Sequence, residues 1–277
     1  MRKIIVFVFS VFVLMGCGQK EKSTVVASKQ EQVASNLLRL SYVPVIESLP
    51  IVVADASGMF SAADIDIDVA VKKSMMECDE LFAKGKSNIF YTDVIRARHL
   101  SSKGVENKMI HTFEVRYSLI GCRQARLNNV SQLSEKMLGM TRYSVSDSLS
   151  GSTSAFRIQV NDPLIRMNML NAHEIDAAWF VEPWQSWAVS CGGNAIRLSD
   201  SMTAMGKGAI AVAPRLLNDK KSREELNKFV KAYNQAVDSI EKNGVGQYIR
   251  LLDKYIACPD SVYTRVKPRH FSHIKPL

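Results

Sequence analysis

From Leu37 onward, short β-rich runs alternate with capped helical stretches, and this rhythm constrains the fold more than any other feature of the chain. The run Ile65 to Val71 places Ile65, Ile67, Val69 and Val71 against Asp66, Asp68 and Ala70, a strict period of two that predicts a half-buried strand. Ser74-Met75-Met76-Glu77 then forms a capping box, opening a short helix that Gly85 closes. The pattern recurs. "LLRLSYV" is a strand ended by Pro44, and "SLPIVVADASG" a helix with Pro50 in its first turn and Gly58 after its end. "NIFYT" is a strand, with Asp93 capping a helix from Val94 to about Ser102. "KMIHTF" and "VRYSLIG" are two nearly continuous strands. Ser131 caps a helix ending near Leu138, "GMTRYS" and "RIQV" are strands, and Asp162-Pro163 starts a helix to Asn171. "IDAAWFV" is a strand, Pro183 begins a helix that Gly192-Gly193 ends, and "AIRL" and "GAIAVA" are strands. The last third is helical: Leu226, Phe229, Val230, Tyr233, Val237 and Ile240 recur at helical spacing, and a second helix is expected from about Gln247 to Ile256. The basic tail "KPRHFSHIKPL" is expected to fray. Strands alternating with helices predict an α/β protein with mostly parallel sheets, whose ligands sit beyond the carboxyl ends of the strands.

The N-terminus has a different character. Arg2 and Lys3 precede an apolar run from Ile4 to Met15, shorter than the roughly 20 residues a bilayer span needs. It has the shape of a secretory signal, expected over residues 1–16. Leu14-Met15-Gly16-Cys17 resembles the bacterial lipobox, in which the cysteine is lipidated and becomes the new N-terminus. The alternative is a plain signal peptide with an incidental cysteine. The polar, aperiodic stretch to residue 36 reads as a tether. Loss of Arg2 and Lys3 lowers the net charge from +9 to +7, leaving 34 basic against 27 acidic residues. No dense basic run interleaved with aromatics is present, which argues against nucleic acid as a partner. Cys78, Cys122, Cys191 and Cys258 match no zinc spacing, so neither metal nor any other cofactor is expected; in an exported chain they can form disulfides or remain buried thiols.

Three motifs, in order, resemble one family. "LSYVPVIESLPIVVADASGMFSAADIDIDVAV" resembles the opening of substrate-binding proteins of the nitrate/sulfonate/taurine and thiamine-precursor group of ABC importers, through Tyr42, Pro44, Pro50, Ala54, Gly58, Phe60 and Asp68. "LFAKGKSNIFYTDVIRA" is similar to that family's Gly–strand–Thr-Asp–helix unit through Gly85, Thr92 and Asp93. "EIDAAWFVEPWQSWAVSCGG" resembles its Ile-Asp-Ala…Glu-Pro…Gly unit through Ile175, Asp176, Ala177, Glu182, Pro183 and Gly192. The likeness covers roughly Leu38 to Tyr255. His173 departs from the family's usual glycine, and a short segment after "RYSVSD" implies that the helix lining the second lobe is cut down.

The resemblance implies the type II periplasmic-binding-protein fold: two α/β lobes, each a mostly parallel sheet flanked by helices, joined by two crossing strands. The expected boundaries are 37–114 and 208–277 for lobe one and 115–207 for lobe two. The crossings are placed near Thr112–Val115 and Lys207–Ile210. Cys122 and Cys191 would then share lobe two, which favours that pair if a disulfide forms.

Several residues become candidates for ligand contact at the strand ends and helix starts. Tyr42 and Pro44 end the first strand, where a tyrosine can stack or donate. Glu47 and Ser48 either cap the first helix or meet the ligand, Glu47 suiting a cation. Ser74 and Met75 open the next helix, with capping and core filling as their structural alternatives. Thr92 and Asp93 form a strand-to-helix turn in which Asp93 can simply be the cap. Tyr143, Ser144 and Ser146 follow a lobe-two strand. Glu182 either caps the helix after Pro183 or pairs with a cationic ligand group. Trp184 and Trp187 share a helix face; Trp184 is a candidate cleft aromatic, whereas Trp179, three residues before Glu182, points to the opposite face and reads as core.

The resemblance implies a monomeric, lipid-anchored receptor of the cell envelope. It would capture a small organic ligand, sulfonate/taurine-like or pyrimidine-precursor-like, and deliver it to an ABC permease with its ATPase, without chemistry. Cys17 would make the membrane contact. Two alternatives remain open from the sequence: an enzyme of the thiamine-pyrimidine or menaquinone type on the same fold, or a ligand-sensing lipoprotein without a permease. The export signal and the lack of a nucleophile–base arrangement speak against the enzyme.

Overall fold

The computed structural model describes residues 37–200 and 205–277. The expected leader, Cys17 and tether lie outside the described residues. The rest folds around two five-stranded sheets within one compact unit, Asn36–Leu277.

The first sheet runs in the order β2-β1-β3-β10-β4, built from β1 (Leu38–Tyr42), β2 (Ile67–Val71), β3 (Ile89–Asp93), β4 (Lys108–Arg116) and β10 (Met205–Val212). β1 pairs in parallel with β2 and β3, and β10 is antiparallel to both β3 and β4. The second sheet runs in the order β7-β6-β8-β5-β9, from β5 (Ser118–Gly121), β6 (Met137–Met140), β7 (Phe156–Gln159), β8 (Ala177–Phe180) and β9 (Asn194–Ala195). Here β6 is parallel to β7 and β8, while β5 is antiparallel to β8 and β9. Each sheet is therefore mixed: the parallel half comes from strand–helix–strand units, and the antiparallel strand from the chain's passage between lobes. The expected crossings, Thr112–Val115 and Lys207–Ile210, face each other in the β4–β10 ladder. The change of sheet falls beyond them, at Tyr117 and between Ala195 and Met205.

Local chemistry explains most helix starts. Ser74 accepts from Glu77 N (3.3 Å), Asp93 from Arg96 N (2.9 Å) and Asp162 from Leu164 N (2.8 Å), opening helices Met75–Ala83, Val94–Ser102 and Pro163–Asn171. The long helix Lys220–Asn243 buries Leu226, Phe229, Val230, Tyr233, Val237 and Ile240 against the first sheet and helix Leu49–Ala56.

Five expectations need correction. Instead of a helix from Ser131 to Leu138 there is a 3₁₀ turn, Val130–Leu133, whose cap is Asn129, with Gln132 Oε1 accepting from Asn128 N and Asn129 N. The chain from Met137 is then drawn into the sheet between β7 and β8, so "GMTRYS" is a strand only at its start; Ser144 caps a short helix, Val145–Gly151. The helix expected over Gln247–Ile256 is a helical turn, Val245–Tyr248, followed by a 3₁₀ stretch, Ile249–Lys254. The tail is not frayed. It runs along helix Lys220–Asn243, with Phe271 N donating to Glu241 (2.9 Å), His273 bonded to Asp238 (2.8 Å), Ile274 N donating to Asn234 (2.8 Å) and Leu277 N to Asn227 (3.2 Å). Those acceptors recur along one helix face, and Ile274 is 1% exposed. The Cys122–Cys191 pair is not formed: all four described cysteines are free thiols, with Cys122 packed in the core and Cys191 exposed after helix Trp184–Ser190.

Candidate ligand site

Between the two sheets lies a cavity of about 370 Å³, near the lower end of the roughly 300–1,000 Å³ typical of small-molecule sites. Strand ends and helix starts of both lobes wall it, as expected for sheets of this kind. Lobe one contributes Val43, Pro44 and Val45 after β1, Val71 at the end of β2 with Lys72 to Met75 after it, and Tyr91 of β3. Lobe two contributes Thr141 after β6, Ser146, Asn161 to Leu164 and Arg166 around helix Pro163–Asn171, and Trp179 to Val181 with Trp184. Val115 and Tyr117 come from the crossing, and Tyr255 reaches in from the C-terminal segment, packed edge-on against Tyr42 at 6.3 Å. Asn161 Nδ2 donates to Met76 Sδ (3.2 Å), a contact across the cleft between lobes.

The wall is mainly aliphatic and aromatic, with few polar groups. Tyr91 and Tyr117 are 4% and 9% exposed, and neither hydroxyl has a hydrogen-bond partner among the described residues. Burial pushes both phenols well above the usual tyrosine range, and the Glu47 and Asp93 carboxylates add to the effect, so both stay protonated donors. Lys72 and Lys73 have no ion-pair partner among the described residues. Asp162 is the one carboxylate of the wall, and it caps its own helix.

Of the residues singled out in the sequence, the structure brings Pro44, Ser74, Met75, Ser146 and Trp184 to this wall. The others have different surroundings. Tyr42 is buried behind Tyr255. Ser48 is held in its own turn, its hydroxyl donating to Val43 O at 2.7 Å. Glu47 pairs with Arg269 of the tail (3.0 Å). Thr92 lies beside Asp79 (3.5 Å), which is ion-paired with the equally buried Arg96. Asp93 accepts from Arg96 N with one oxygen and from Val145 N (3.0 Å) with the other, tying lobe one to the first turn of the lobe-two helix that Ser144 caps. Tyr143 is exposed and stacks on His99 at 3.9 Å. Glu182 has the capping role: its carboxylate accepts from Ser186 N (3.1 Å) and Ser186 Oγ (3.0 Å), and its carbonyl accepts from Ile46 N (3.0 Å). Those bonds use both of its oxygens at 4% exposure and away from the cavity wall.

No protein-family model and no curated protein matches the sequence. Solved structures do match. The alkanesulfonate-binding protein SsuA from Xanthomonas axonopodis pv. citri, bound to MOPS, superposes with a TM-score of 0.69 at 14% identity over 83% of each chain. The periplasmic aliphatic sulphonate-binding protein SsuA from Escherichia coli gives 0.64 at 16% identity, covering 83% of this chain and 82% of that one. The periplasmic nitrate-binding protein NrtA from Synechocystis PCC 6803 gives 0.66 at 10% identity, covering 87% and 75%. The chain has the periplasmic-binding-protein fold. At these identities the likeness establishes the fold.

Within the periplasmic-binding-protein fold, the residues that sequence reasoning missed fall into two groups. Tyr91, Trp179 and Phe180 belong to strands, where an aromatic reads as core; Trp179 is indeed 0% exposed, its Nε1 donating to Ser150 Oγ (3.0 Å), and it also lines the cavity. Tyr117, Arg166 and Tyr255 arrive from the crossing, the second turn of a helix and the C-terminal segment, and no local pattern marks them.

Proposed function

We propose that this chain is the solute-binding component of an ABC importer, anchored to the membrane through a lipid on Cys17. It takes up a small organic ligand between its lobes and passes it unchanged to a permease with its ATPase. The observation that carries this reading is the cavity itself: apolar and aromatic walls from both lobes, a few buried hydroxyl donors, and no nucleophile–base pair among the described residues that line it. The fold shared with sulfonate- and nitrate-binding proteins supports it, as does the signal-like character of the sequence before Cys17. Closure would be a hinge motion at Tyr117 and the returning strand. A cavity of about 370 Å³ favours an organic molecule over a bare inorganic anion. No helix among the described residues is long and apolar enough to cross a membrane. The protein is proposed to act as a monomer and to have no nucleic-acid partner.

The test is a thermal-shift screen of residues 36–277, the compact unit, against sulfonates, taurine, carboxylates, pyrimidines, nitrate and bicarbonate. The reading expects a saturable rise in melting temperature with an organic compound that is recovered chemically intact. A shift with nitrate or bicarbonate alone, or conversion of the compound, would contradict it.

A further inference from the structure

Two arginines of this protein are buried to the same extent, each 6% exposed, and they are satisfied differently. Arg96 forms an ion pair with Asp79, its Nε donating at 2.7 Å. Arg166, on helix Pro163–Asn171 at the cavity wall, has no carboxylate within ion-pair distance among the described residues. Its Nε donates to Val160 O (2.9 Å), Nη1 to Trp179 O (2.6 Å), and Nη2 to Thr141 Oγ1 (2.7 Å) and Val160 O (2.6 Å). These bonds account for four of the five guanidinium hydrogens and leave one on Nη1 without an acceptor.

Neutral carbonyls satisfy hydrogen bonds but do not neutralise a charge, and an unpaired buried charge is costly. Burial lowers the Arg166 pKa to about 10, so the group still carries its proton at neutral pH. Asp162, the acid whose charge reaches it, is committed to a helix cap. Two further donors line the same cavity. The Tyr117 hydroxyl has no partner, and the Thr141 hydroxyl, which accepts from Arg166, keeps its own hydrogen to donate. Phe180, whose ring centroid is 5.8 Å from Arg166 Cζ, supplies a flat apolar surface beside the charge. The four bonds to the ends of β6, β7 and β8 hold the guanidinium rigid, so no side-chain ordering remains to be done when a ligand arrives.

We infer that Arg166 is the charge anchor of the ligand site and that the ligand is a small aromatic or heteroaromatic monoanion whose acidic group completes the unmatched guanidinium. This rests on the binding-protein reading above and adds the ligand's charge and the residue that selects for it. The lysines at Lys72 and Lys73 act in the same direction, and the wall's single carboxylate, Asp162, spends one oxygen on its own helix cap.

The experiment uses matched pairs that differ in one charge: benzoate and benzamide, 2-naphthoate and 2-naphthamide, and 2-naphthalenesulfonate with its sulfonamide. Affinities are measured by isothermal titration at pH 7.5 and fixed ionic strength on residues 36–277. In the wild type the acid of at least one pair binds tenfold or more tightly than its amide. Arg166→Met weakens the acid tenfold or more and the amide less than threefold, and Arg166→Lys recovers part of the loss for the acid. Carboxylate and sulfonate arms decide which acid the site prefers. Equal affinity for acid and amide, or equal losses for both in Arg166→Met, would overturn the inference and leave Arg166 as a strut between strand ends. Should Arg166→Met fail to fold, the wild-type preference within each pair and the Arg166→Lys variant carry the test. If no pair binds while another compound in the broad screen does, the inference fails and the binding reading survives; if nothing in either set binds, both fail.

Discussion

Glu47→Gln separates the electrostatics of the interlobe junction from the rest of the fold. Glu47 is 5% exposed, and neither carboxylate oxygen has an aligned hydrogen-bond donor; Arg269 Nη1 stands 3.0 Å from Oε1 as an ion pair. Burial pushes its pKa from 4.5 up to about 7, with Arg269 opposing the rise. The folded state therefore holds this proton more tightly than the unfolded chain. The stabilisation is fully present below about pH 4.5 and is lost as the pH rises through 7. Between pH 8 and pH 5.5 those two values give the native state about 2 kcal/mol. At roughly 2–4 °C per kcal/mol for a chain of this size, the melting temperature gains about 4–8 °C over that interval from this residue. Asp79 and Asp93, each raised to about 6 by burial, act in the same sense and remain in the variant. The assay is calorimetric melting of wild type and Glu47→Gln at pH 5.5, 6.5, 7.5 and 8 and constant ionic strength. Wild type should gain on the variant by about 4–8 °C as the pH falls. Parallel curves would refute the reasoning and mean that Glu47 is ionised throughout.

Three other substitutions probe different parts of the account. Asp93→Ala removes a helix cap, about 1 kcal/mol, and leaves Val145 N without its acceptor, about 1–3 kcal/mol more; urea denaturation should show a loss of about 2–4 kcal/mol. In Gly139→Ala the new Cβ would lie 2.8 Å from Ile175 Cδ1 and 3.1 Å from Arg166 Cγ, which should cost about 1–3 kcal/mol and weaken ligand binding by displacing the arginine stem. Ile274→Ala should cost about 2–4 kcal/mol if the tail is docked along helix Lys220–Asn243, and almost nothing if it is frayed.

The fold was legible because its signals are local. Ser74, Asp93 and Asp162 each announce a helix with one side chain, and the structure uses all three as caps. Where a tertiary partner outweighs local preference, the sequence misleads: Met137 and Leu138 read as the end of a helix, but sheet pairing on both edges claims them. The docked tail was hidden for the same reason, since Glu241, Asp238, Asn234 and Asn227 become a row of acceptors only once the helix is formed. The cavity wall was less legible than the fold. Asp93 and Glu182 stand at the positions sequence patterns point to, yet their carboxylates are consumed by backbone donors and, for Glu182, by the Ser186 hydroxyl as well. The period-two count from Trp179 to Glu182 has no force, because β8 ends at Phe180 and Glu182 sits in the turn beyond it. Arg166 looks like any helix arginine until the ends of three strands close around it.

The central claim is that a small molecule binds, intact, between the two sheets. The most direct measurement is a crystal structure of residues 36–277 with the strongest compound from the screen, with the soaking solution analysed for conversion. The account predicts one unmodified molecule in the cavity, in contact with lobe one at Tyr91 or Ser74 and with lobe two at Trp184 or Arg166. A compound held elsewhere on the surface, or a transformed product in the cavity, would contradict it.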